Sequence, residues 1–352
     1  MLKKLLLFLL AELVIGIFIF FNNPFIQEEP AEQPLFFNPV LIEWQQVEFE
    51  IPWQPRDSHT VAVFQDKLWL MGGLNADDFV IEENVVEYWK APYFSDVWSS
   101  EDGINWELVE DKAPWGQRRS MAVEPFQNKL WLMGGWGPDI GYQNDVWYSE
   151  NGADWTKAVS QAAWPAREGH LVINFKDRLW LIGGVNYDKR QTMNDVWYSK
   201  DGLTWIKATS SAPWQPRWDH AITVFDDKLW LIGGMDLKDN VFKDIWCSED
   251  GINWELVRDD PPWQTRQGHE VLVYENKMWL IGRLNDKENG GTNDVWFSED
   301  GFTWKKTNAD PQWLGREDAA AAVFHDKMWL LGGMDKNWQW RNDVWYSKSY
   351  TP

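Results

Sequence analysis

Tryptophan recurs at four fixed places in a unit of about fifty residues, and that unit is written six times. The first place opens a Trp-x-x-Arg element: Trp53 with Arg56, Trp115 with Arg118, Trp164 with Arg167, Trp214 with Arg217, Trp263 with Arg266 and Trp313 with Arg316. Thirteen residues after each arginine stands a second tryptophan, at Trp69, Trp131, Trp180, Trp230, Trp279 and Trp329. Three residues further comes a glycine pair such as Gly72-Gly73, which the fifth copy breaks as Gly282-Arg283. A variable stretch then leads to Asp-Val-Trp or Asp-Ile-Trp, with the acids at Asp96, Asp145, Asp195, Asp244, Asp294 and Asp343. The fourth tryptophan lies eight residues beyond the third, at Trp106, Trp155, Trp205, Trp254 and Trp304. Six copies of four places account for twenty-four of the 29 tryptophans. Such a unit cannot bury its apolar face alone and must stack on its neighbours.

The sixth copy of the fourth place is found at the other end of the array. Trp44 precedes Trp53 by nine residues, the interval that separates Trp106 from Trp115 and every later pair. Residues 42–49 therefore supply the last strand of the last repeat and close a ring, which removes exposed sheet edges. Each repeat reads as four strands. Strand a alternates over residues 59–64, a polar turn at Asp66-Lys67 follows, and strand b is the continuously apolar Leu68-Trp69-Leu70-Met71. Strand c carries Asp-Val-Trp, and a Glu101-Asp102-Gly103 type of turn leads to strand d. The expected fold is all-β: a six-bladed propeller with an N-terminal strand closing the last blade.

The apolar strand ending in Gly-Gly, the spaced tryptophans and the Arg-x-x-His entry to the next blade resemble the kelch-repeat family, over roughly residues 42–352. The resemblance implies a propeller of the galactose-oxidase-like superfamily. It implies no single activity, because kelch propellers serve as binding scaffolds, sugar epimerases and copper oxidases. The Ser-x-Asp-Gly-x-x-Trp turns are similar to the sialidase Asp-box but lack one residue between Asp and Gly, so they read as hairpin turns.

Ahead of the ring, residues 5–21 are apolar apart from Glu12 and Gly16, and follow Lys3 and Lys4. The next basic residue is Arg56, so the positive-inside rule leaves the N-terminus in the cytoplasm and exports the rest. Residues 1–25 are expected to form a hydrophobic N-terminal helix, an uncleaved signal anchor in preference to a cleaved signal peptide. Residues 26–41, with Pro30, Pro34 and Pro39, read as a stiff acidic linker holding the 42–352 propeller off the membrane. A formal charge of −21 disfavours a nucleic-acid partner. One cysteine, Cys247, excludes an internal disulfide framework and any Cys-rich metal site. No cofactor or metal is expected, and the propeller is expected to be monomeric.

Strand alternation puts the b–c and d–a loops on one face, where loop length varies and the first b–c loop, 74–95, is the longest. The five off-template tryptophans, Trp89, Trp136, Trp218, Trp338 and Trp340, all fall there, with Tyr88, Tyr93 and Tyr142. They either stack on a ligand or pack the long loop onto the disc. Each template arginine is expected to pair with the repeated aspartate, Arg56 with Asp96 or a neighbour, while Arg119, Arg190, Arg283 and Arg341 are off-template candidates for a ligand's carboxylate or sulfate. His59, His170, His220 and His269, three residues after a template arginine, read as hydrogen-bonded locks between blades in preference to a metal ring.

The leading functional expectation is a non-catalytic recognition propeller that binds a glycan or an extracytoplasmic protein. The ligand-binding candidates are Trp89, Tyr93, Arg119, Trp136, Tyr142, Arg190, Trp218, Arg283, Trp338, Trp340 and Arg341. The alternative is a sugar epimerase resembling the bacterial sialic-acid mutarotases, with Glu168, Asp219, Glu317 and Asp318 as candidate acids and bases.

Overall fold

The computed structural model describes residues 42–82, 85–283, 292–307 and 311–349. The expected N-terminal helix and linker lie outside the described residues. Among the described residues no helix is long and apolar enough to cross a membrane.

Six antiparallel sheets form the blades. In the second, Ala122–Phe126, Lys129–Met133, Val146–Ser149 and Trp155–Val159 are the strands a to d, hydrogen-bonded in that order. In the sixth, Ala320–Phe324, Lys327–Asp335 and Trp340–Ser349 are completed by Ile42–Gln46, with Trp44 opposite Ser347. The closure read from the Trp44 spacing is therefore the observed one. Strand b is apolar along its length because neighbouring blades cover both its faces; Leu130, Trp131, Leu132 and Met133 are all buried. The a–b turns place two successive residues at positive φ, for example Gln127 at 49° and Asn128 at 60°, as tight hairpins require.

Inside each blade the template arginine is a hub. Arg167 donates from Nη1 to Asp195 Oδ1 at 2.6 Å and to the Gly183 carbonyl at 2.7 Å, and from Nη2 to Asp195 Oδ2 at 2.9 Å. Asp195 Oδ2 also accepts Trp197 Nε1–H at 2.7 Å. One guanidinium thus joins the entry of strand a, the end of strand b and the start of strand c. All six arginines pair with the aspartate of their own blade.

Between blades the glycines do the joining. Gly134 and Gly135 sit at φ 62° and 94°, and the Gly135 N–H donates to the Arg167 carbonyl of the next blade at 2.9 Å. The His170 imidazole lies over Gly134, where a β-carbon would come within 2.6 Å of Cε1. His220, His269 and His59 cover Gly183, Gly233 and Gly332 in the same way, and Met121 covers Gly72. Packing is therefore the role of these imidazoles, and the hydrogen-bonded lock expected from the sequence is not what joins the blades, because none of their ring nitrogens makes a well-formed hydrogen bond among the described residues. Burial holds them neutral, with His59, His170 and His220 pushed down to about 3 and His269 well below its ordinary value. On the opposite face the c–d turn glycine covers the strand-b tryptophan of the preceding blade; a β-carbon on Gly152 would run into the Trp69 ring.

Candidate functional site

Two residues separate each template arginine from the interblade position three residues after it, and together they build the channel mouth. The second of them forms a collar. Ser58, Ser120, Gly169, Asp219, Gly268 and Asp318 all have φ between 48° and 61°, which bends the chain into the channel-lining strand. Backbone bonds link the collar around the axis. Ser120 N–H donates to Ser58 O, Gly169 to Ser120, Gly268 to Asp219, Asp318 to Gly268 and Ser58 to Asp318, at 2.8 to 3.1 Å.

The first of the two residues varies around the ring, with only glutamate used twice: Asp57, Arg119, Glu168, Trp218, Gln267 and Glu317. Bridges to the residue after the glycine pair fix it at the face, as in Asp57 with Leu74, Arg119 with Trp136, Glu168 with Val185 and Trp218 with Met235. The rigid collar thus presents a ring of unlike side chains above a channel of about 290 Å³ lined by the six strands a.

Aromatic rings form an arc along one side. The Arg119 guanidinium lies 5.2 Å from the Tyr88 ring centre and 5.5 Å from that of Trp136. Trp136 meets Tyr93 edge-on at 5.4 Å and leans on Tyr142 at 6.3 Å. The Tyr142 hydroxyl accepts the Tyr187 N–H at 3.1 Å, and Tyr187 meets Trp218 edge-on at 5.6 Å. Arg119 forks onto Glu168 at 2.9 and 3.3 Å, and the Tyr142 hydroxyl donates to Glu168 Oε1 at 3.4 Å.

Acids occupy the rest of the mouth. Asp318 Oδ2 accepts the Ser58 hydroxyl at 3.1 Å, and Glu317 Oε2 accepts Gln267 Nε2–H at 3.3 Å. Burial, then the charge of Asp318, pushes Asp57 up to about 8 against the pull of Arg119. Burial and the neighbouring carboxylates raise Asp219 well above its ordinary value, and burial raises Asp318. Lower in the channel, burial and Asp318 lift Glu270 to about 8, and burial lifts Glu124 to about 7. Near neutrality the mouth therefore holds protonated carboxyls beside an ion-paired one. Among the described residues no group of three or more His, Cys, Asp or Glu is arranged to hold a metal.

Of the residues singled out from the sequence, Tyr93, Arg119, Trp136, Tyr142 and Trp218 meet at this mouth. Trp340 is instead buried with Leu74, Ala76, Ala91 and Tyr93 beneath the 74–95 insertion, and Trp338 packs on the same cluster. Trp89 is 65% exposed on that insertion. Arg341 turns to Asp335, with Nε 2.7 Å from Oδ2, and Arg190 is exposed at a hairpin tip. Arg283 ends its strand opposite Thr292, and its side chain lies outside the description. Arg119, already forked onto Glu168 among acids, does not form the open cationic spot expected for an anionic ligand. Asp57, Gln267 and Tyr187 were missed, and of the collar only Asp219 and Asp318 had been named, as candidate acids, without the ring they belong to. A signal for the collar was available, since its six residues are all Ser, Gly or Asp, short side chains suited to a left-handed backbone.

The KLHDC2/KLHL20/DRC7 Kelch-repeats domain model matches residues 119–333. The chain belongs to the kelch-repeat family. No curated protein matches it. Among solved structures the kelch propeller is similar to the one titled "Structure of YjhT", with a TM-score of 0.66 at 15% identity over 83% of this chain and 94% of that one. At that identity the likeness speaks for the fold. The broken glycine pair at Gly282-Arg283 is the one departure from the kelch template at this position.

Proposed function

We propose that the channel mouth is a carbohydrate-recognition site and that the chain is a non-catalytic, membrane-tethered binding propeller. One observation carries this reading: an arc of five partly exposed aromatic side chains, Tyr88, Trp136, Tyr142, Tyr187 and Trp218, shares one opening with acids and an amide. Apolar sugar faces stack on indole and phenol rings while hydroxyls bond to acids and amides. A glycan array probed with the full chain and with Trp136→Ala/Trp218→Ala tests it. The variant is expected to bind about tenfold or more weakly, a packed aromatic pair being worth roughly 0.5–1.5 kcal/mol beyond buried area. A blank array from folded protein would remove the sugar reading and turn the search to envelope proteins. Tethering rests on residues 5–21, and release of the chain by alkaline washing of membranes would refute it.

A second reading is favoured by the meeting of Glu168, Asp219, Glu317 and Asp318 at one mouth. Sugar ring opening needs a base for the anomeric hydroxyl proton and an acid for the ring oxygen. The C1–O5 bond breaks, the hydroxyl oxygen becomes a carbonyl, and reclosure on the other face gives the second anomer. A protonated Asp219 suits the acid, and Glu317, directly before the collar residue Asp318, is the candidate base. Exchange NMR on free sugars decides: acceleration lost in Asp219→Asn supports the mutarotase, and uncatalysed rates in wild type dismiss it.

A further inference from the structure

The mouth is built to meet positive charge. Asp219 Oδ1 and the Trp218 indole both lie over the bare Cα of Gly169, and Asp318 Oδ1 lies over that of Gly268. Glycine at those two collar positions leaves the carboxyls uncovered by a neighbouring side chain. Asp57 and Glu317 stand beside them, and Arg119, the guanidinium acting on Asp57, Asp219 and Asp318, is already forked onto Glu168. An anionic sugar would therefore meet carboxyls and a guanidinium that is already paired. A cation would meet aromatic faces and acids together. Independently, the Tyr93 hydroxyl has no hydrogen-bond partner among the described residues although Tyr93 is 2% exposed. It lies in the field of Arg119, Glu168 and Asp57, so it is a buried polar atom at this mouth left for a ligand to satisfy.

We propose that the site takes an amino sugar, its ammonium seated against Asp219 and Asp318 and its ring stacked on Trp218. This rests on the carbohydrate reading of the same mouth and narrows it to a basic sugar. As the ammonium seats, Asp219 and Asp318 release to solvent the protons that burial favours in the free mouth, and the resulting carboxylates accept its N–H groups, while the half-buried Trp218 indole beside Asp219 supplies the apolar platform.

Isothermal titration of the detergent-solubilised full chain at neutral pH tests this with three probes: a glucosamine trisaccharide, its N-acetylated counterpart and N-acetylneuraminic acid. The glucosamine trisaccharide is expected to bind about tenfold or more tightly than the N-acetylated one, with N-acetylneuraminic acid silent. Asp219→Asn/Asp318→Asn should bring the two trisaccharides level. Should that variant fail to fold, added salt on wild type replaces it: the glucosamine preference should shrink as ionic strength rises, and a preference that salt leaves alone would overturn the inference. Equal or tighter binding of the N-acetylated sugar, or binding of N-acetylneuraminic acid, overturns the ammonium site while keeping the carbohydrate reading. Silence from all three probes overturns both.

Discussion

Arg118→Met is expected to destabilise the propeller by about 3–5 kcal/mol, the range for breaking a buried ion pair from one side. Arg118 and Asp145 are both buried. Arg118 Nη1 donates to Asp145 Oδ1 at 2.8 Å and to the Gly134 carbonyl at 2.9 Å, and Nη2 donates to Asp145 Oδ2 at 3.2 Å and to the Trp115 carbonyl. Methionine fills the volume and leaves a carboxylate and two carbonyls without these donors. Trp147 Nε1, 2.7 Å from Asp145 Oδ2, cannot neutralise that charge. Adding Asp145→Leu removes the stranded charge and should recover part of the loss, the signature of a coupled pair. Urea melts of the wild type, both single variants and the double variant measure this. A loss below about 1 kcal/mol in Arg118→Met would mean that solvent or a rearranged strand satisfies Asp145.

Replacing His59, His170, His220 and His269 together with methionine, the residue already present at Met121, should make the protein markedly more resistant to acid. Three of these imidazoles have folded values near 3 against an ordinary 6.5, with burial the first cause, and His269 is also held well below. The unfolded chain therefore binds protons that the folded chain refuses. The stability contributed by neutral imidazoles is fully present above 6.5 and is lost as pH falls towards 3. By pH 5 the loss is on the order of 2 kcal/mol for each imidazole, and four approach the whole stability of a typical domain. Asp57 and Glu270, raised to about 8, act with the opposite sign, stabilising the fold as pH falls from 8 towards the ordinary carboxyl range. They are common to both proteins and cancel in the comparison. Chemical melts at intervals from pH 7 to 4 provide the readout. Parallel pH profiles for wild type and variant would show that the imidazoles titrate freely.

The architecture was legible because a repeat states its own geometry. Trp44 at its nine-residue interval foretold the pairing of Ile42–Gln46 with Trp340–Ser349, and the Arg and Asp of each copy foretold the hub. The working face was legible for the same reason, since only its loops depart from the template. The site was legible in part. Counting off-template tryptophans found Trp136 and Trp218 but also took Trp340, which the 74–95 insertion uses as its own core. Arg341 is likewise claimed by Asp335, six residues away, a local pairing that no repeat count exposes. Of the residues directly after each template arginine, Arg119, Glu168, Trp218 and Glu317 were picked out one at a time and Asp57 and Gln267 were passed over, because the six were not read as one ring; variation between two fixed positions is what a ring of specificity residues looks like. The positive φ that aims them is a property of the backbone and leaves a trace only in the short side chains of the collar.

The sixth blade has a consequence for biogenesis. Its seam joins Ile42–Gln46, among the first parts of the ring to leave the ribosome, to Trp340–Ser349, among the last. Five blades can assemble as the chain emerges, but they wait with an open edge at each end until about 300 residues separating the two halves of the seam have been made. A product cut short anywhere in the sixth repeat would keep most of its sheet and lose its closure. Such fragments would be sticky and protease-sensitive, so the position of the seam ties closure of the ring to completion of its sixth repeat.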